Sequence, residues 1–293
     1  MIYSAGMLPL KRSRERILQG AVTRGEYMTA GWESFGEIRQ FTGALRLYES
    51  ALAEMCGFTV PYDIRVVSRD PDIRAVCAPF AKQMSAGRER MTVTVSARGD
   101  SAEITCGDAH IDPVSLTLLA CAAEARNGCD TALPFAFPRS AESCAARYGH
   151  RVLRYFESSM DDRDEEARTL AAKHPYMRDG FASAVKVLRY MREEGLSPQQ
   201  ALDTLPRFSS ADRFVRVSCP PQRVLDRLKA VPEENEGAVI SGGDGERVFL
   251  RPDRRGTGIF MFAESFGTET AASLCDKAEK MIRRAMGALS ERR

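Results

Sequence analysis

The 293-residue sequence is poor in several features that would indicate a function directly. It has one tryptophan and three histidines, and the histidines do not show metal-ligand spacing such as HExxH. No apolar run approaches the roughly 20 residues needed to span a bilayer. The opening residues, MIYSAGMLPLKRSRER, lack the long apolar core of a signal peptide. We therefore expect a cytoplasmic protein without a membrane partner.

Charge and cysteine usage exclude further classes. The chain has 42 Lys and Arg against 40 Asp and Glu, a net charge of +2. This balance does not favour binding to nucleic acid or to an anionic surface. The eight cysteines are scattered and form no CxxC pair. Because disulfide frameworks and zinc sites need tighter spacing, we expect reduced and mostly buried thiols.

Helical and strand patterns alternate through the middle of the chain. The strands are predicted at 63–68, 90–96, 101–106, 132–137 and 151–156, and the helices between them at 72–84, 112–126 and 140–148. Asp112 followed by Pro113 is a strong helix start, since an N-cap acceptor precedes a proline in the first turn. Strands and helices in this order predict βαβ units with a mostly parallel sheet.

The last part of the chain has a different order of elements. A polar stretch at 207–213 is predicted to be a linker. The elements predicted after it are a strand at 214–219, a helix ending near 230, strands near 238–241, 247–251 and 259–264, and a long helix at 268–289. This β-α-β-β-β-α order predicts a small α+β domain with an antiparallel sheet.

Three stretches of sequence have a distinctive order. Asp179-Gly180 leads into FASAVKVLRYMREEGLSPQQALDTLPRF, then FVRVSCPPQRVLDRL follows, and VFLRPDRRGTGIFMFAE comes last. Together they resemble the third and fourth domains of the α-D-phosphohexomutases, the phosphomannomutase/phosphoglucomutase superfamily. In that family an Asp-Gly precedes a helix ending near EG, and the phosphate loop RPSGTEP precedes an apolar strand ending in Glu. The resemblance covers about two thirds of the chain.

The resemblance implies a division of the chain. GEIRQFTGALRLYESAL, near 36–52, is similar to the start of the family's second domain. The implied parts are a lead-in segment at 1–34, a reduced second-domain-like α/β segment at 35–90, a third-domain-like α/β domain at 91–206 and a C-terminal α+β domain at 207–293. The lead-in leaves no room for the family's first domain, which holds its phosphoserine loop.

Phosphohexomutases move a phosphoryl group between the 1- and 6-positions of a hexose through a phosphoserine, assisted by a divalent metal. The serine loop has a T-A-S-H-N-P pattern, and this sequence has no Ser-His pair. We therefore predict no catalytic residue. The family's metal loop, D-G-D-x-D-R, aligns with SARGDS, which places Ser96, Arg98 and Asp100 at the three aspartate positions. Mg²⁺ needs several hard oxygen ligands, so the ion is expected only if Asp100 alone still serves. Otherwise we expect no cofactor, and the stretch is a solvated turn.

The family's sugar-selecting loop, G-E-x-S-G-H, has no clear counterpart. The corresponding segment is ARTLAAKHPYMRDG, with no Glu-x-x-Gly pair. His174 and Tyr176 are candidate sugar contacts in this segment, and a local helix end is the alternative.

The phosphate loop is the best-preserved motif. LRPDRRGTGIF keeps the opening Arg-Pro and, displaced by two residues, the Gly-Thr of the family pattern. Arginines suit phosphate because their planar groups can donate two hydrogen bonds at once. The candidate phosphate ligands are Arg251, Arg254, Arg255, Gly256 and Thr257. The alternative is an ordinary charged β-hairpin turn.

Three functions are compatible with this pattern. The first is a catalytically degenerate module, a pseudoenzyme, that binds a hexose phosphate or regulates sugar-nucleotide metabolism, with a nucleotidyltransferase as partner. Family domains fused behind nucleotidyltransferases provide the precedent for that partner. The second is a true mutase, an intramolecular phosphotransferase, completed by a separate serine-bearing chain. The third is a protein-interaction scaffold without a ligand.

Overall fold

The protein's structure is a computed structural model that describes most of the chain. The described residues are 8, 10–26, 43–157, 163–228, 231–233, 237–242, 245–253, 255–266 and 270–290. Arg254, a candidate phosphate ligand, lies outside them, as do residues 36–42 of the second-domain-like stretch. Among the described residues, no helix combines the length and apolar character that crossing a bilayer requires.

A four-stranded mixed sheet organises the first half of the molecule. Its strands, in spatial order, are β1 (Val60–Val67), β2 (Ser85–Val95), β3 (Ala102–Cys106) and β4 (Ala109–Ile111). β1 and β2 run parallel, whereas β2, β3 and β4 pair antiparallel. The sequence prediction lacks β4, because three residues are too few to show an alternating pattern.

A crossover helix, α3 (Pro71–Met84), joins the parallel strands β1 and β2, as the sequence predicts. Parallel strands need such a connection because the chain must return to the end of the sheet at which the first strand began, which a tight turn cannot do. The helix begins at Asp70, whose carboxylate accepts hydrogen bonds from the backbone N–H groups of Asp72 (2.8 Å) and Ile73 (3.3 Å). This cap satisfies two donors that the first helical turn would otherwise leave unpaired.

Two long helices pack together beside the sheet. They are α4 (Pro113–Arg126) and α7 (Gly180–Glu194). The predicted start of α4 is confirmed, since the Asp112 carboxylate accepts from the N–H groups of Val114 and Ser115. Helix α4 is buried on almost every side, which explains its run of Leu, Ala and Cys.

A second parallel strand pair follows, and it completes the α/β part. Its elements are β5 (Thr131–Pro134), α5 (Ser140–Ala146), β6 (Val152–Tyr155), α6 (Glu165–Lys173) and a 3₁₀ turn (Pro175–Arg178). β5 and β6 run parallel with α5 between them. The predicted α/β class with parallel sheet elements is thus confirmed.

Three further helices lie among the described residues before residue 207. They are α1 (Arg12–Arg24), α2 (Ala44–Met55) and α8 (Pro198–Asp203). Helix α8 starts with a capping box, in which the Ser197 hydroxyl accepts from the Gln200 N–H and the Gln200 side chain accepts from the Ser197 N–H.

The last unit is an antiparallel sheet with helices α9 (Pro221–Leu225) and α10 (Ala271–Ser290). Its strands, in spatial order, are β7 (Ser209–Arg216), β11 (Gly258–Ser265), β10 (Arg247–Pro252), β9 (Gly237–Ser241) and β8 (Val231–Glu233). The α+β character is as predicted. The predicted order is one strand short, because β8 has only three residues.

The predicted polar linker at 207–213 is wrong. β7 begins at Ser209 and pairs with β11 along its whole length, from Ser209 opposite Ser265 to Arg216 opposite Gly258. Because β7 is an edge strand of the sheet, alternate residues remain exposed and its sequence is polar. Because its composition is polar, the strand could not be predicted from a pattern of hydrophobic residues.

The buried hydrophobic residues form two large clusters, which define two packing units. One extends from Leu52 to Ala201 and the other from Val215 to Ala285. The expected division at residue 90 falls inside β2, which is paired on one side with β1 and on the other with β3. A boundary there would cut one sheet, so we propose a single boundary near residue 207 instead.

The eight cysteines are free thiols, and six of them are buried. Cys219 is half-buried and Cys129 is exposed. Burial raises the pKa of Cys121 to about 12 and that of Cys144 to about 11, which keeps both as unreactive thiols at neutral pH.

A buried carboxylate joins the two units. Glu264, on β11, is 4% exposed and accepts hydrogen bonds from the backbone N–H groups of Arg139 (2.6 Å) and Ser140 (2.9 Å) at the start of α5. Beside it, the Arg247 guanidinium lies 4.6 Å from the centre of the Phe135 ring. These contacts place one face of the C-terminal sheet against the β5–α5 connection.

Candidate functional site

The candidate phosphate loop is a tight hairpin turn between β10 and β11. The ladder closes at Pro252 opposite Ile259, and the Asp253 N–H donates to the Gly258 carbonyl at 2.8 Å. Gly256 turns the chain with φ of +70°, where a side chain would be strained, and its N–H donates to the Asp253 carbonyl at 2.9 Å. The hairpin geometry considered from the sequence is confirmed, and phosphate binding by it stays a prediction.

The carboxylate of Asp253 accepts hydrogen bonds from its own turn. The Thr257 hydroxyl donates to it at 2.7 Å, and the backbone N–H groups of Arg255 and Thr257 lie beside it. These donors, the Thr257 hydroxyl most of all, lower the pKa of Asp253 below its ordinary value. Arg255, Gly256 and Thr257 are exposed, so the turn presents its donors at the protein surface around this carboxylate.

Arg251 lies at the base of the same turn and is only partly accessible. Its guanidinium forms an ion pair with the Glu157 carboxylate, which comes from the segment after β6. It also lies over two aromatic rings, 5.6 Å from the centre of Phe260 and 5.3 Å from that of Phe262. The Glu157 contact places the turn on the side of the C-terminal sheet that faces the first unit.

The stretch aligned with the family's metal loop is the turn between β2 and β3. The Ser96 hydroxyl donates to the Asp100 carboxylate at 2.7 Å, and the Arg98 guanidinium lies 3.8 Å from the same carboxylate. Both charged side chains are more than half exposed. Asp100 therefore already has a hydrogen-bond donor and a positively charged neighbour without a metal ion.

These residues do not fit Mg²⁺. The ion prefers several oxygen ligands in octahedral geometry, and a guanidinium beside the one carboxylate would repel it. In the part of the chain that the structure describes, no cluster of three or more His, Cys, Asp or Glu side chains could hold a metal ion. We derive no chemistry through a metal at this turn.

The Asp-Gly motif lies directly against this turn. The Gly180 N–H donates to the Gly99 carbonyl at 2.7 Å, while Asp179 caps α7 by accepting from the Ala182 N–H. Burial raises the pKa of Asp179, and the Ala182 N–H and the nearby Tyr48 side chain offset this only in part. The structure thus brings together the Asp-Gly motif and the turn containing Asp100, which the sequence treats as separate motifs.

His174 and Tyr176, the candidate sugar contacts, belong to a half-buried cluster rather than to an open loop. Their rings lie 5.7 Å apart, and the Lys186 ammonium lies 4.9 Å from the centre of the Tyr176 ring. Lys186 forms an ion pair with Glu124 of α4, which is 4% exposed. Burial, and next the Glu124 carboxylate, raise the pKa of Tyr176. Their role in sugar binding stays a prediction.

The His174 cluster predicts a pH dependence of stability. Burial lowers the pKa of His174 below its ordinary 6.5, so the unfolded chain binds a proton more readily than the folded one. Stability should therefore fall as the pH drops through that value. In His174→Gln, the slope of unfolding free energy against pH, measured by urea denaturation, should become shallower below about pH 6.5, by at most about 1.4 kcal/mol per pH unit. An unchanged slope would contradict this.

Sequence reasoning missed Glu157, Asp253 and Glu264 as contacts of the site region. Glu157 and Arg251 lie 94 residues apart, and no local pattern links them. For Asp253 the sequence does hold one indication, since this residue stands where the family pattern RPSGTEP has a serine.

Mutases are among the solved structures that share this fold. A phosphoglucomutase/phosphomannomutase family protein from Burkholderia thailandensis matches with a TM-score of 0.61 at 12% identity, over 93% of this chain and 70% of that one. N-acetylphosphoglucosamine mutase from Aspergillus fumigatus, in complex with GlcNAc-6P and magnesium, gives 0.54 at 12% identity, over 86% and 68%. A serine-to-alanine variant of that mutase with glucose 1,6-bisphosphate gives 0.51 at 12% identity, over 82% and 65%.

No family sequence model and no curated protein matches the chain. At 12% identity, the structural likeness shows a shared fold and leaves the activity open. The match nevertheless extends over most of this chain, including both packing units. The chain therefore has the α-D-phosphohexomutase fold that its sequence motifs predict.

Proposed function

We propose that this chain is a phosphohexomutase-fold module that binds the phosphate of a phosphorylated hexose without itself transferring the phosphoryl group. The observation that supports binding is the turn between β10 and β11. It keeps the Arg-Pro and Gly-Thr pairs of the phosphate loop in one tight hairpin, with Arg255 and Thr257 exposed. The structural neighbours from Aspergillus fumigatus were solved with hexose phosphates.

The chemistry of the turn suits a phosphate. Backbone N–H groups beside a residue with positive φ converge toward one point and can donate to a single anion. The Thr257 hydroxyl adds a neutral donor, and the Arg255 guanidinium can donate two parallel hydrogen bonds. A neutral sugar hydroxyl would gain much less from these donors, so the site should select the phosphate rather than the sugar.

The turn around Asp100 supports the second half of the proposal. Transfer of a phosphoryl group needs charge compensation at the moving group, which a metal normally supplies. The residues of this turn do not fit Mg²⁺, and the sequence lacks a Ser-His pair. A mutase completed by a serine-bearing partner would still need this metal turn. We therefore favour a binding or regulatory role, alongside a partner enzyme of sugar-nucleotide metabolism.

Calorimetric titration with GlcNAc 6-phosphate tests the binding. We expect weak binding to the wild-type chain, at least about tenfold weaker binding to Arg255→Ala, and no effect of Arg98→Ala, a matched change at an exposed arginine of the other turn. Absence of binding in the wild type and in the Asp253→Asn variant described below would contradict the proposal.

A mutase assay tests the absence of transfer. With glucose 1-phosphate, glucose 1,6-bisphosphate and Mg²⁺, the chain should form no more product than a blank without protein. Turnover that is lost in Asp100→Asn would contradict the degenerate role and support a working metal turn.

A further inference from the structure

The turn that we propose for phosphate already contains an anion. The Asp253 carboxylate accepts a hydrogen bond from the Thr257 hydroxyl at 2.7 Å, and the backbone N–H groups of Arg255 and Thr257 lie beside it. These are the donors that a phosphate in this turn would use. An incoming anion must therefore replace the carboxylate as acceptor of the Thr257 hydrogen bond and also overcome repulsion from a like charge.

A second carboxylate is paired with Arg251, at the base of the turn. Arg251 forms its ion pair with Glu157, a residue from the other packing unit. The Glu157 side chain is 38% exposed and that of Arg251 is 15% exposed, so the carboxylate lies on the solvent side of the pair. A ligand approaching Arg251 from solvent therefore meets Glu157 first.

We propose that Asp253 and Glu157 are internal competitors of the phosphorylated ligand, which hold the Thr257 hydroxyl and the Arg251 guanidinium until a phosphate dianion displaces them. This inference rests on the proposed function of the turn. Without a ligand, the donors of the site are therefore held by the protein's own carboxylates. The ligands expected to displace these carboxylates are phosphomonoesters, whose dianion offers three acceptor oxygens, in preference to carboxylates or neutral sugars.

The structure also predicts how displacement of Glu157 by a phosphate affects the contact between the two packing units. The Arg251–Glu157 pair links β10 of the C-terminal unit to the segment after β6. A phosphate that binds Arg251 breaks its ion pair with Glu157 and so removes one contact between the units. Ligand binding should therefore weaken the contact between the two units near Arg251, whereas the hydrogen bonds of Glu264 at the start of α5 remain.

Charge-neutral variants test the competition. Asp253→Asn and Glu157→Gln keep side-chain size and remove one negative charge each. Titrated with GlcNAc 6-phosphate and with inorganic phosphate, each should bind at least about tenfold more tightly than the wild type, because one like charge at contact distance has been removed. Unphosphorylated N-acetylglucosamine should bind none of the variants.

Asp212→Asn is the matched control. Asp212 is exposed on β7 and pairs with Phe262, four ladder positions away from the Gly258 end next to the turn. It changes net charge by the same amount, so its affinity should stay within about twofold of the wild type. An equal gain in Asp212→Asn would show that overall charge, and not occupation of the turn, controls binding, and would overturn the inference.

The outcomes separate this inference from the proposed function. Wild-type binding with no gain in either neutral variant would overturn the competition and leave the binding role standing. No binding in any variant would overturn both. If Asp253→Asn alone proves unstable in thermal melts, Glu157→Gln decides the matter, since Glu157 follows β6 in the other packing unit and its substitution leaves the residues of the hairpin unchanged.

Discussion

Replacing Glu264 with alanine is expected to lower the free energy of unfolding by about 3 kcal/mol. The carboxylate is 4% exposed and accepts two short hydrogen bonds from the backbone N–H groups of Arg139 and Ser140. Hydrogen bonds to a charged partner are stronger than neutral ones, and removal of the carboxylate leaves two buried donors without their acceptor. Because the contact joins two packing units, its loss should weaken their coupling as well as the total stability.

Urea denaturation monitored by circular dichroism measures this effect. Glu103→Ala is the matched control, since it removes an exposed carboxylate that pairs with His110 at 3.1 Å on the first sheet. The control should cost less than about 1 kcal/mol, the usual value of a surface pair. Glu264→Gln, which keeps an acceptor oxygen, should fall between the two. A loss in Glu264→Ala no larger than that of the control would show that the joint does not depend on this carboxylate.

Most of the fold could be predicted because its signals are local. The start of α4 follows from the Asp112-Pro113 pair, and helix α3 follows from apolar residues at helical spacing between 72 and 84. The start of β7 could not be predicted in this way, since a polar edge strand looks like a linker until its partner β11 is known. The joint could not be predicted either: Arg139 and Glu264 lie 125 residues apart, and only packing reveals the pair.

The candidate site shows the same limit. The sequence places Arg251 and Thr257 in one loop, and it identifies the lone Asp100 as a poor metal ligand. It does not show that the loop's donors are already used by Asp253, because a carboxylate in a polar turn is unremarkable in a sequence. Nor does it show that Tyr176 packs beside a buried Glu124 from another helix. Motifs indicate which groups are present, whereas the structure shows whether those groups have other partners.

The Asp-Gly motif leads to the second large prediction. A β-carbon added at Gly180 would lie 2.2 Å from the carbonyl oxygen of Ser101 and 2.8 Å from the backbone nitrogen of Ala102. Both neighbours are backbone atoms of the turn between β2 and β3 and its continuation into β3, so they cannot rotate away. Gly180→Ala should therefore push the start of α7 away from this turn and lower the free energy of unfolding by about 3 kcal/mol.

Gly287→Ala is the matched control for this change. Gly287 lies in α10, and a β-carbon there would meet nothing within 4 Å. Alanine in an exposed helix interior should stabilise the protein by up to about 1 kcal/mol, because glycine loses more backbone freedom on folding. Opposite signs for the two substitutions in urea denaturation would show that Gly180 is needed for the close approach of α7 to the turn containing Asp100. A Gly180→Ala protein as stable as the wild type would contradict the packing described and remove the structural reason for the motif.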